Sequence, residues 1–182
     1  MVMNKRRKFS RSDKSGFSLM ELLLAIGIGG IVLVGATMSV NLWARSSVSL
    51  GNYVDMSGSC RRTLDIFASD VRMADDVSVS NSGTFTFTAY AASNKRVTVN
   101  YVFDDVADKV IRTYDGASTV LLRNVNRFGL SFFDLTRNST TNLLSVKEVQ
   151  IEAILRKKVL NLSNTDEIIS ARFILRNRRV ST

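Results

Sequence analysis

Histidine and proline are both absent from this 182-residue chain, and cysteine occurs once, at Cys60. Without histidine the sequence lacks the commonest general base, the commonest transition-metal ligand and any Ser-His or Cys-His nucleophile pair. Nothing else replaces them, so the expectation is a protein that is not an enzyme and needs no cofactor or metal. A single cysteine cannot form an intramolecular disulfide, so an exported domain would hold together by its core or by assembling with partners. The lack of proline favours long uninterrupted helices and strands, and the length suits one modest domain plus an extra segment.

Charge is unevenly placed. A net +9 spread over a folded surface would suggest nucleic acid or an acidic membrane as partner. However, Lys5, Arg6, Arg7, Lys8, Arg11 and Lys14 stand against Asp13 alone in residues 1–16, which accounts for +5 of that +9. The remainder is only mildly basic, which argues against nucleic acid. From Leu22 to Val40 there follow 19 residues without a charge, rich in Leu, Ile, Val, Ala and Gly. As a helix rising 1.5 Å per residue this run covers roughly 30 Å, the thickness of a bilayer's hydrocarbon, and its basic flank holds the N-terminus on the cytoplasmic side. The part after it is then exported.

Three leaders compete at this point: a secretory signal, a plain membrane anchor and a prepilin leader. A secretory signal has an apolar region of about 7–15 residues ending at a small-residue site; here the run is longer and continues into Asn41-Leu42-Trp43-Ala44-Arg45 without one. A plain anchor stays open, but it does not need Glu21, whose charge at the start of the apolar run is costly unless it reaches the interface or a cation.

The stretch Lys14-Ser15-Gly16-Phe17-Ser18-Leu19-Met20-Glu21-Leu22-Leu23-Leu24-Ala25-Ile26 resembles the cleavage and methylation motif of type IV prepilins. The resemblance implies that a prepilin peptidase, an aspartyl protease of the inner membrane, cuts after Gly16 and methylates the new N-terminus at Phe17. It also implies that Glu21 neutralises the N-terminal amine of an adjacent pilin or pseudopilin subunit during assembly. A carboxylate and an ammonium at one depth in low dielectric attract strongly although both lose hydration, so such a pair would select the axial register between subunits. The implied organisation is a basic leader over 1–16, a transmembrane and assembly helix over 17–42, an amphipathic continuation over 43–76 and an exported β-rich domain over 77–182.

Within the apolar run Gly27, Gly29, Gly30 and Gly35 are unfavourable for helix stability, each by up to about 1 kcal/mol relative to alanine. Ala25 with Gly29, and Gly35 with Ser39, lie at small-xxx-small spacing, so Ala25, Gly29, Gly30 and Gly35 are the candidate helix-packing residues. Beyond the membrane, Tyr53, Met56, Cys60, Leu64, Phe67, Val71 and Ala74 recur at three- and four-residue steps, with Asp55, Arg61, Arg62, Asp65 and Arg72 opposite them. This predicts one amphipathic stripe packed on the exported domain, with Cys60 as core filling. Gly51 and Gly58 are candidate bends, and the helix is expected to reach Asp76, about 60 residues and roughly 90 Å from Phe17.

After Asp76 the pattern becomes β-like. Strands are expected over Thr84–Tyr90, Arg96–Phe103, Lys109–Tyr114, Thr119–Leu122, Asn126–Leu135, Val146–Arg156 and Ile168–Arg176. Turns or loops are expected at Asn81-Ser82-Gly83, Asn94-Lys95, Asp104-Asp105, Asp115-Gly116, Asn138–Asn142 and Asn161–Asp166. The expected fold class is α+β, a long N-terminal helix packed on an antiparallel sheet. Asp75-Asp76 and Asp104-Asp105 with Asp108 lack calcium-loop spacing and read as solvated turns. Arg172, Arg176, Arg178 and Arg179 read as a solvated edge, with phosphate contact in a DNA-uptake pilin as the alternative. The layout of Leu121-Leu122-Arg123-Asn124-Val125, Phe128-Gly129-Leu130-Ser131-Phe132 and Ala171-Arg172-Phe173-Ile174-Leu175-Arg176-Asn177 is similar to J-type secretion pseudopilins and PilW-like minor pilins.

Overall fold

A computed structural model describes residues 16–80, 84–90, 95–159 and 163–179. The architecture is α+β, with one long N-terminal helix, α1 (Leu19–Met73), followed by antiparallel sheets. The chain divides into two compact units between Ala44 and Arg45, and α1 contributes residues to both.

The second unit holds two sheets where one was expected. The first is a five-stranded meander of β1 (Ala74–Val79), β2 (Phe85–Tyr90), β3 (Arg96–Asp104), β4 (Lys109–Tyr114) and β5 (Ala117–Arg123). The second comprises β6 (Val125–Phe133), β7 (Glu148–Val159) and β8 (Ser163–Ile174). Asp115 and Gly116 both take positive φ, at 46° and 87°, and link Tyr114 directly to its partner Ala117. That is the two-residue hairpin geometry whose twist matches the flanking strands. Along β7, Val149, Ile151, Ala153 and Leu155 are buried while the residues between them are not, the period-two signature of a sheet with one core face.

The contact between α1 and the sheets begins at Ser49, whose hydroxyl lies 3.2 Å from that of Thr165 in β8, and the first buried residue of the helix is Asn52, not Tyr53. Tyr53 is 48% exposed, whereas Asn52 is buried and donates its Nδ2 to the Lys158 carbonyl at 3.3 Å. Met56, Cys60, Phe67 and Val71 are buried as expected, Leu64 half-buried, and Asp55, Arg61, Arg62, Asp65 and Arg72 exposed. Helical structure is continuous through Gly51 and Gly58. Phe67 is fully buried and meets Phe87, Tyr101 and Phe173 edge-on at 5.7, 5.3 and 5.7 Å, so one ring touches both sheets. Phe85 and Phe103 reach Phe128 of the other sheet directly, each at 6.2 Å. Edge-on aromatic pairs contribute about 0.5–1.5 kcal/mol each beyond burial.

Two boundary expectations are corrected. α1 ends at Met73, whose carbonyl accepts the Nδ2 of Asn177 at 3.1 Å, and the chain passes straight into β1. A bulge between Ala74 and Asp76 puts the buried Ala74 and Val77 three residues apart, a spacing that imitates another helical turn. Asp75 and Asp76 are therefore strand residues, and Asp76 lies 3.3 Å from the Arg178 guanidinium. The expected loop at Asn161–Asp166 is shorter, since β8 starts at Ser163 opposite Val159. Arg156 forks onto Asp166 with both bonds at 3.0 Å, which favours pairing there. Residues 81–83, 94 and 161–162 of the expected turns lie outside the described residues.

One polar cluster lies inside this core. Asp70 is 2% exposed, yet it accepts Nε and Nη2 of Arg112 at 2.6 and 2.7 Å as well as the hydroxyl of Tyr101. Burial, then the Asp70 charge, pushes the Tyr101 hydroxyl far above the usual phenol range, so it stays a proton donor. Removing one partner of a buried pair leaves an uncompensated charge. Asp70→Ala is expected to destabilise the domain by about 3 kcal/mol, measured from urea midpoints of the full chain in detergent; a loss below about 1 kcal/mol would contradict this account.

Cys60 gives a second test. Its burial, then the Glu167 charge, pushes the thiol up to about 11, so it is neutral and shielded near neutrality. Because the folded value lies above the ordinary thiol value, this contribution to stability is present below that value and fades as pH rises through about 11. Maleimide labelling of Cys60 at pH 7 is expected to be slow in the folded chain and fast in urea. Equal rates would show an open site.

Candidate processing and assembly segment

Gly16, Phe17 and Ser18 precede α1 without helical structure, and all three are exposed. The Ser18 carbonyl accepts the amides of Glu21 and Leu22 at 3.0 and 3.1 Å, so the helix begins directly after it. Serine is a favoured residue at that position, and Ser18-Leu19-Met20-Glu21 has the order of a capping box. A carboxylate in the first turn also lies at the positive end of the helix dipole. Glu21 lines a shallow hollow with Phe17, Leu22, Ala25 and Ile26, so Glu21 and Ala25 share one helix face and Phe17, just before the helix, lies beside them.

From Gly16 to Val48 every residue is exposed. α1 carries no charge from Leu22 to Ala44 and is long and apolar enough to cross a membrane. A helix of that kind needs lipid or protein around it. Three of its polar side chains turn inward on their own helix: Thr37 donates to Leu33 O, Ser39 to Gly35 O and Asn41 to Thr37 O. This is the satisfaction a medium without water demands. A Cβ added at Gly27, Gly29, Gly30 or Gly35 would meet no atom within 4 Å. Among the described residues nothing therefore requires glycine at these positions.

The C-terminal arginines do not form a free basic stripe. Arg172 lies over the Phe133 ring at 3.5 Å and forks onto Gln150 Oε1 at 3.1 and 2.8 Å. Arg178 is buried, bonds the Leu143 carbonyl and faces Asp76. Arg176 and Arg179 remain exposed. Of the turn acids, Asp104 turns its Oδ1 to the amides of Val106 and Ala107 at 3.1 and 2.9 Å. Among the described residues no three His, Cys, Asp or Glu side chains form a group able to hold a metal.

Sequence reasoning missed Asp70, Arg112, Tyr101 and the burial of Arg178. Asp70 left a trace, since it sits between Phe67 and Val71 on the apolar stripe. Arg178 left none, because its surroundings come from Leu143 and Asp76, distant in sequence.

Residues 11–37 match a family model described as the prokaryotic N-terminal methylation motif. A search of curated proteins gave no match. The matched stretch supports a type IV prepilin-like protein, a pilin-like precursor processed by prepilin peptidase, and it implies assembly with other pilins. Such a family role is structural and not typically enzymatic. The single apolar helix is consistent with membrane anchoring.

Because Gly29 and Gly30 have open space around them, Gly29→Ala in the isolated chain is expected to keep or raise helicity, by up to about 1 kcal/mol of propensity. Circular dichroism with thermal melting in detergent checks this. A lower helix content would show that the glycine serves the chain's own fold.

Proposed function

We propose that this chain is a minor or initiating subunit of a type IV pilus or a type II secretion pseudopilus. In this reading the peptidase removes residues 1–16 by cutting after Gly16 and methylates Phe17. Residues 17–42 hold the subunit in the inner membrane, N-terminus cytoplasmic, until assembly. The rest of α1 then carries the β-rich domain outside the membrane. Glu21 meets the N-terminal amine of a neighbouring subunit and so selects the axial register, while Ala25, Gly29, Gly30 and Gly35 let neighbouring helices approach closely.

The observation that carries the reading is the methylation motif at 11–37 opening onto a helix that is exposed on every face through Val48. Such a helix can exchange lipid for the helices of other subunits without any rearrangement of its own domain. Arg172 and Arg178 are engaged within the domain, which weighs against a DNA-uptake role.

Intact mass and N-terminal fragmentation of the protein from its native membranes test the proposal. The expected product lacks residues 1–16 and carries a methylated Phe17. An intact leader, or cleavage elsewhere, would overturn it in favour of a membrane-anchored exported domain. With processing established, Glu21→Ala is expected to be cleaved and retained in the membrane but depleted at least tenfold from sheared filaments or cross-linked subunit assemblies.

A further inference from the structure

β5 is the edge of the five-stranded sheet: β4 pairs with one side of it and no described strand pairs with the other. Exposed edges are usually blunted by charge, proline or a covering element. Ala117-Ser118-Thr119-Val120 has no charge and no proline, and all four residues are exposed. The edge is closed only at its far end. There Val110 faces Leu122 and Ile111 faces Val120, so Leu121 is the extra residue of a bulge. Its carbonyl is taken by the Thr63 hydroxyl of α1 at 3.3 Å.

Between α1 and this edge lies a groove made of two adjoining cavities of about 480 and 260 Å³, which share Asp55, Ser59, Val120 and Leu121. Gly58 forms part of its helix wall and has no atom within 4 Å of where a Cβ would stand, so the groove is a side chain wider there. Arg62 lines one cavity, and Arg123 and Lys157 line the other. The one acid present, Asp55, is paired with Lys157 at 3.3 Å. Among the described residues neither Arg62 nor Arg123 has an acidic partner.

We propose that this groove receives an extended acidic segment of a partner polypeptide, which adds to β5 as a further strand. Main-chain hydrogen bonds to Ala117–Val120 would supply affinity, and carboxylates reaching Arg62 and Arg123 would select the acidic sequence. At about 3.3 Å per residue the open part of the edge accommodates four or five residues of such a segment. The inference is independent of whether Gly16 is cleaved.

The test uses the full chain in detergent with two labelled seven-residue peptides, one alternating glutamate and valine, the other lysine and valine. The acidic peptide is expected to bind at least tenfold more tightly than the basic one, to weaken with salt, and to protect the amides of residues 117–120 from hydrogen exchange. Arg62→Glu combined with Arg123→Glu, at two exposed positions, is expected to reduce binding at least tenfold with an unchanged urea midpoint. Equal binding of the two peptides, no binding of either, protection confined to another strand, or an undiminished affinity in the double variant would each overturn the proposal. So would arginine-dependent binding of oligothymidylate without binding of the acidic peptide, which would make the groove a nucleic-acid site.

Discussion

The carboxylate of Asp70 lies on the buried face of α1, one turn beyond Phe67, and the domain is organised around the bonds it accepts. The Arg112 guanidinium, planar and two-pronged, fits both oxygens of that carboxylate in one orientation only. The fork therefore fixes α1 both in rotation and along its axis against β4. Tyr101 adds a third bond from β3, and the same tyrosine ring packs on Phe67 and Phe87. Apolar burial alone would tolerate some sliding of a helix over a sheet. The ion pair does not, because any slippage strands a charge where hydration cannot be regained.

This constraint matters because α1 serves two surroundings. Through Val48 it is exposed on all faces and, from Leu22 to Ala44, uncharged; from Asn52 it buries one stripe and exposes charges on the other. Among the described residues nothing crowds the glycines that lower helix propensity in the first stretch, while in the second Phe67 packs against both sheets and Asp70 is bonded to β3 and β4. Register between the helix and its domain is set locally, by groups within the domain. Whatever packs around the first stretch is free to be set by other molecules.

Much of this was legible in the sequence. The uncharged run, the motif around Gly16, the buried Met56, Cys60, Phe67 and Val71, and the hairpin at Asp115-Gly116 each follow from short-range rules of length, spacing or backbone conformation. The misreadings share a cause. A bulge at Asp75 changed the local period and disguised the first half of β1 as helix, and Asp166 looked like a loop residue because Arg156, which holds it in the ladder, is ten positions away. The division into two sheets depends on which strands pair, and the burial of Arg178 on contacts with Leu143 and Asp76. Periodicity carries no information about either.

The last turn of α1 is also where the two ends of the domain are fastened. Asn177 bonds the Met73 carbonyl, Arg178 faces Asp76, and Lys147 donates to the Arg178 carbonyl at 2.6 Å. A pull delivered along α1 would thus arrive at a knot that joins the helix end, the start of β1 and the tail after β8. The load would reach both sheets at once, entering each through an edge strand, β1 in one and β8 in the other.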